Sequence, residues 1–188
     1  MMDGDNWEKL NEDIGGCNRC ALCETRTNVV IGRGCITAKL LFVGEGPGEN
    51  EDLQGLPFVG RAGQLLDFAL LGLMYPEDSY YIANIVKCRP PQNRAPMDEE
   101  ADACLPFLRR QTRLINPKIL VCLGAVAVRH ILGREHKITK IRGEWFDRKG
   151  LLILPTFHPA ALLRDENKKA LMWLDLKKAK AKLDALSG

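Results

Sequence analysis

Four short apolar runs divide the chain: Lys39 to Val43, Tyr80 to Val86, Lys118 to Leu123 and Leu151 to Leu154. Each is rich in residues that favour strands, and helix-like segments lie between and after them. Ala62 to Met74 carries Leu65, Leu66, Phe68, Ala69 and Leu73 at helical spacing. Asp98 to Ile115 opens on acids and closes on basic residues, as the helix macrodipole favours. Ala125 to Leu132 follows Gly124 and stops at Gly133, and Glu166 to Leu186 sets Leu171, Leu174, Ala179 and Leu183 in an amphipathic pattern. Strands that alternate with helices build a parallel sheet covered on both faces. The expected architecture is a three-layer α/β/α fold around a central four-stranded, mostly parallel sheet. The 188 residues suit one domain with a full core, residues 1–188.

In such folds ligand sites form where strands end. The loops in question are Gly44 to Gly60, Lys87 to Pro96, the turn at Gly124, and Pro155 to Pro159. The first carries the most information. Leu40-Leu41-Phe42-Val43 runs straight into Gly44-Glu45-Gly46-Pro47-Gly48-Glu49-Asn50-Glu51-Asp52. Its glycines and proline make a tight turn, poor in side chains, whose backbone a ligand can touch. The carboxylates argue against a phosphate cradle, which uses amides and a lysine. They suit chemistry on a neutral or cation-like centre.

Charge and hydropathy narrow the classes further. With 27 basic and 24 acidic residues the formal net charge is +3. That is compatible with nucleic-acid binding if the positive charge gathers on one face. Basic residues cluster late, between Arg164 and Lys182, where the plain alternative is a solvated helix face. The apolar runs are too short to span a bilayer. The stretch Met1-Met2-Asp3-Gly4-Asp5 is acidic and has no basic or apolar signal-peptide region. A cytoplasmic protein without membrane association is expected.

Seven cysteines are many for such a chain. An odd number without a signal peptide argues against a disulfide framework and for metal or cluster ligation. Cys17-Asn18-Arg19-Cys20 is a C-x-x-C pair, and Cys88 and Cys104 flank the Pro90-Pro91 loop. A pair plus two distant cysteines suits a tetrathiolate site for zinc or a [4Fe–4S] cluster, and spacing does not choose between them. Cys23 forms a second C-x-x-C with Cys20 and competes as a ligand. Cys122 lies inside an apolar run and reads as a buried structural thiol. Cys35 sits in a glycine-flanked turn with no evident partner.

Several segments together resemble the family 4 uracil-DNA glycosylases. They are Gly44-Glu45-Gly46-Pro47-Gly48 with Glu51-Asp52, Gly55-Leu56-Pro57-Phe58-Val59-Gly60, Asn84 through Lys87-Cys88-Arg89-Pro90-Pro91, and His158-Pro159 with Leu162-Leu163-Arg164. The motifs stand in the family's order and the similarity runs from Cys17 to about Leu174. The resemblance implies hydrolysis of the N-glycosidic bond of uracil in DNA, single- or double-stranded. A monomer is the simplest expectation, since one glycosylase site can act alone. The resemblance also implies a [4Fe–4S] cluster on Cys17, Cys20, Cys88 and Cys104, which selects iron over zinc. The short proline-rich segment Arg89 to Pro96 stands where covalently uracil-trapping relatives carry a basic insertion, so a turnover enzyme is expected.

The residues supply a matching parts list. A base must leave the duplex before its glycosidic bond can be reached, so a pocket must receive a flipped nucleotide. Phe58 offers a stacking face, and the Asn84 amide can read both N3–H and O4 of uracil. His158 can donate to O2 and stabilise the leaving base. Cleavage leaves a cation-like sugar, which nearby carboxylate helps. Glu45, with Gly44 and Gly46, is expected beside the base, and Glu51 is the alternative acid for the attacking water. Glu49 and Asp52 read as solvated or loop-capping. Leu163 or Arg164 is the candidate wedge for the gap left by the flipped base. Lys87, Arg89, Arg94, Arg164 and Lys168 are candidate phosphate contacts. Two rival readings use the same residues: a DNA-sensing binding protein without turnover, and a zinc-stabilised nucleotide-binding module.

Overall fold

A computed structural model of the protein describes residues 6–186. The acidic stretch Met1 to Asp5, on which the localisation expectation rests, lies outside the described residues. Helices α1 (Trp7–Gly15) and α2 (Leu22–Thr25) precede strands β1 (Arg33–Gly34) and β2 (Leu40–Gly44). Helices α3 (Glu49–Gln54) and α4 (Arg61–Gly72) lead to β3 (Tyr80–Asn84), and α5 (Asp98–Ile115) leads to β4 (Ile119–Leu123). After α6 (Ala125–Ile131) and α7 (Ile138–Ile141), strands β5 (Phe146–Arg148) and β6 (Leu151–Thr156) complete the sheet. Helices α8 (Pro159–Leu162) and α9 (Asn167–Ala185) follow.

The sheet order is β1-β3-β2-β4-β6-β5. The four expected strands form its centre, and β2, β3, β4 and β6 all run parallel. Two short strands extend it, β1 antiparallel to β3 and β5 antiparallel to β6. Neither carries an apolar run, which is why the sequence pattern does not reveal them. Alternate residues of the central strands feed two cores. Leu41, Val43, Ala83, Leu120 and Cys122 pack with α1, α5 and α6 on one face. Leu40, Phe42, Ile82, Val121 and Leu154 pack with α4 and α9 on the other. This is the three-layer α/β/α arrangement.

Two apolar residues of the helical patterns face outward instead. Phe68 is 71% and Leu174 57% exposed, because α4 packs through Leu66, Ala69 and Leu70 and α9 through Met172, Leu176, Ala179 and Leu183. Helix α9 is pinned to β6 by a buried polar knot. Asp175 accepts from Thr156 Oγ1 at 2.7 Å and pairs with Arg142. No helix among the described residues is long and apolar enough to cross a membrane.

Candidate active site and cysteine chamber

All four parallel strands deliver residues to the same end of the sheet. Gly44 pairs in register with Asn84 across β2 and β3, so the two strand ends lie side by side. A Cβ on Gly44 would lie 2.5 Å from Asn84 Oδ1 and 2.6 Å from Phe58 Cζ; only hydrogen fits there. Asn84 is buried, and its Oδ1 has no hydrogen-bond partner among the described residues. Leaving a buried acceptor unpaired is costly, so such a group marks a place where a ligand donor belongs.

Phe58 adopts a left-handed φ of 56°, strained for a residue with a Cβ. Two contacts hold it. Gly63 lets the α4 backbone press on the Phe58 carbonyl, since a Cβ there would lie 1.9 Å from its oxygen. Glu51 Oε1 accepts from the amides of Val59 and Gly60 at 2.9 and 2.7 Å, while Oε2 accepts from Gly48 N at 3.1 Å. The Glu51 carboxylate is thus committed to three backbone donors that shape both ends of the glycine-rich loop. Asp52 is also a loop clamp, accepting from Thr27 N at 2.9 Å. Glu49 is exposed and stands 3.6 Å from Arg89.

Glu45 differs from Glu51. Its carboxylate is half-buried and has no hydrogen-bond partner among the described residues, and burial alone raises its pKa. Across the cleft, the His158 ring stacks on Phe58 with centroids 5.6 Å apart. Gly124, at φ 93°, makes room for it: a Cβ there would lie 2.7 Å from His158 Cβ. His158 Nδ1 accepts from Ala160 N at 3.1 Å, so in the neutral ring Nε2 carries the proton. Burial, and secondarily the Arg164 charge, push its pKa down to about 4 against the opposing pull of Glu51. A neutral donor is therefore held at neutral pH.

Glu45, Glu51, Phe58 and His158 line one open cleft of about 560 Å³, and Asn84 is buried beside it, against Gly44 and Phe58. Leu163 and Arg164, both exposed, stand on its rim. Arg89 is half-buried, with Nε bonded to Asn93 Oδ1 at 2.8 Å. Lys168 pairs with Asp165 at 3.2 Å. Lys87 departs from the expected phosphate contact. It is 1% exposed and its ammonium donates to the Asn84 carbonyl at 2.8 Å, so it has no surface to offer DNA. Asn93 and Glu100 are site residues that the sequence pattern does not reveal. Asn93 lines the cleft at a left-handed φ of 56°. Buried Glu100 grips Arg94 in a fork of 2.8 and 2.6 Å, which fixes that wall.

On the other side of the same loop lies a second chamber. Cys17, Cys20, Cys23, Cys88 and Cys104 all line it, so Cys23 stays in reach as a competing ligand. Arg26 donates to Cys88 Sγ at 3.2 Å and to the Cys17 carbonyl at 2.8 Å. Lys87 reaches the chamber from within the core; burial lowers its pKa to about 8 while Cys104 and Cys88 pull upward. Five thiols with the cationic Arg19, Arg26 and Lys87 and the apolar Ile14 and Phe107 fit a thiolate-ligated group of negative charge. Among the described residues no three Cys, His, Asp or Glu side chains converge closely enough for a single metal ion. Cys122 is fully buried in β4, and Cys35 contacts Thr37 at 3.2 Å, away from the chamber.

The cleft at the strand ends, walled by the glycine-rich acidic loop, Phe58 and His158 with Asn84 buried beside it, has the ring face, donor and carboxylate that an extruded base would meet. Residues 31–180 match the family model of the uracil DNA glycosylase superfamily. The chain is 45% identical over 178 residues to the type-4 uracil-DNA glycosylase of Thermotoga maritima, covering 93% of each chain. It is 43% identical over 183 residues to the type-4 enzyme of Sulfurisphaera tokodaii, covering 93% of this chain and 83% of the relative. The protein belongs to the uracil DNA glycosylase superfamily and, within it, to the type-4 enzymes. Its activity is the excision of uracil in DNA repair by hydrolysis of the N-glycosyl bond.

Proposed function

We propose that uracil flipped out of DNA enters this cleft and is read, polarised and cleaved by Asn84, His158 and Glu45. The unpartnered Asn84 Oδ1 carries this reading. It is a buried acceptor beside Phe58, and uracil N3–H is the donor it lacks, while the amide nitrogen is free to donate to O4. Phe58 supplies the stacking face, and the amides at Gly44 and Gly46 line the base edge. The Nε2–H of neutral His158 donates to O2, where negative charge grows as the bond breaks. Glu45, without a competing partner, faces the cation-like sugar and takes the proton of the attacking water. Glu51 shapes the loop and holds Phe58. Leu163 wedges the vacated stack, with Arg164 and Arg89 near the phosphates.

Cys17, Cys20, Cys88 and Cys104 would hold a [4Fe–4S] cluster. Their thiols line one chamber, and Arg26 and Lys87 supply positive charge there. When bound, the cluster would cross-link the N-terminal segment to the loop at Cys88 and to α5 at Cys104. The protein is read as one cytoplasmic domain acting as a monomer on single- or double-stranded DNA.

Two substitutions separate the acids. Glu45→Gln is expected to slow single-turnover uracil release by about 100-fold, within the scale for a positioned acid–base group, with an unchanged melting temperature. Glu51→Gln is expected to lower the melting temperature by several degrees, because a half-buried three-donor anchor is weakened. Equal rates for wild type and Glu45→Gln would remove Glu45 from the chemistry. Gly44→Ala tests the pocket itself. Its methyl group must displace Asn84 or Phe58, and a shift near 1 Å costs about 100-fold in rate. Full activity in Gly44→Ala would show that the base does not lie there.

A further inference from the structure

We propose that Lys87 is a positioning residue that couples the cysteine chamber to the base-reading amide of Asn84. The inference rests on the uracil and cluster readings above and adds a physical link between them. Lys87 is fully buried and forms no ion pair with a carboxylate among the described residues. A buried ammonium without a counter-charge is costly, so its neighbours must account for its presence. They lie in two directions. Its Nζ donates to the carbonyl of Asn84, the last residue of β3. It also lines the cysteine chamber, where Cys104 and Cys88 are the groups that act electrostatically on it, and the Lys87 amide bonds to the Cys104 thiol.

The chain geometry makes this link direct. Asn84 ends β3, three residues bring the chain to Lys87, and Cys88 follows at once. The ammonium folds back over that turn to its own strand end. When the four thiolates carry their cluster, the negative charge holds the ammonium, and the ammonium holds the Asn84 backbone. The Asn84 side chain is then fixed against Gly44 and Phe58 with Oδ1 aimed at the base. A lysine of this kind serves two sites at once, and its removal must register at both.

Inhibition by free uracil reports the base pocket, and decay of the visible iron–sulfur band under a chelator reports the chamber. Lys87→Met is expected to weaken uracil inhibition by about 100-fold, the scale for a group misplaced by about 1 Å. It is also expected to release iron about 10-fold faster, as losing a partner of a metal ligand does. Asn84→Ala is the one-sided control: uracil inhibition falls and iron loss keeps the wild-type rate. Lys87→Gln keeps a donor for the Asn84 carbonyl and lacks the charge, so iron loss accelerates while uracil inhibition stays closer to wild type. Wild-type uracil inhibition in Lys87→Met, or wild-type iron retention in Lys87→Gln, would overturn the coupling. Wild-type protein without iron or without uracil inhibition would instead count against the underlying site readings.

Discussion

His158→Ala is expected to slow release of uracil from a uracil-containing oligonucleotide by about 100- to 1,000-fold, the cost of one donor aimed at developing charge. DNA binding should change far less, because His158 meets the base and not the backbone. The pH dependence distinguishes its role from that of Glu45. The His158 pKa lies near 4, so the ring stays a neutral donor through the range in which most proteins are stable. Glu45 is raised by burial and must be ionised to act on water or the sugar. Activity therefore falls on the acid side as Glu45 protonates, above the usual carboxylate range, while His158 is still neutral. The acid limb should persist in His158→Ala and disappear in Glu45→Gln. Stability gives a second check. Between about 4 and 6.5 the unfolded chain protonates this histidine and the folded protein does not, so its contribution falls as pH drops through that window. His158→Ala should flatten that part of the stability profile.

Cys88→Ala is expected to have the other large effect. Binding of the proposed cluster would be coupled to folding, so iron content and its visible absorption should be lost, with a marked drop in melting temperature. The damage should reach the base cleft, because the segment from Cys88 to Cys104 carries Pro90, Asn93 and Arg94 on the cleft wall. The Arg94–Glu100 fork cannot hold that wall alone once its anchoring cysteine is gone. Cys35→Ala is the matched control. Cys35 touches Thr37 and stands apart from the chamber, so iron content and activity should stay at wild-type levels. A brown, stable Cys88→Ala protein would remove Cys88 from the ligand set.

Much of the fold is legible in the sequence because local and tertiary signals agree. The central strands are apolar runs buried on both faces, and α5 spans Asp98–Ile115 as its charge pattern indicates. The edge strands β1 and β5 stay hidden, since Arg33–Gly34 and Phe146–Arg148 have no run to read. The site is partly legible for a related reason. Gly44, Glu45, Asn84 and His158 stand at or just past strand ends, and a parallel sheet brings such ends together. Partner choice among charged groups is a tertiary property and escapes the sequence. Nothing local distinguishes Glu51, bound by three amides, from Glu45, bound by none. Nothing local shows that Lys87, one residue before a cysteine, turns inward while Arg89 turns out. Arg26, whose guanidinium bridges Cys17 and Cys88, lies in a stretch with no motif.

The central claim is that the cleft between Glu45 and His158 hydrolyses the bond between uracil and deoxyribose. Its most direct test is quantitation of free base and abasic sites after incubation with an oligonucleotide containing one uracil, beside an identical strand containing thymine. The predicted result is one free uracil per abasic site over many turnovers, with the thymine strand intact. Tight binding of the uracil strand with no free base released would contradict the account.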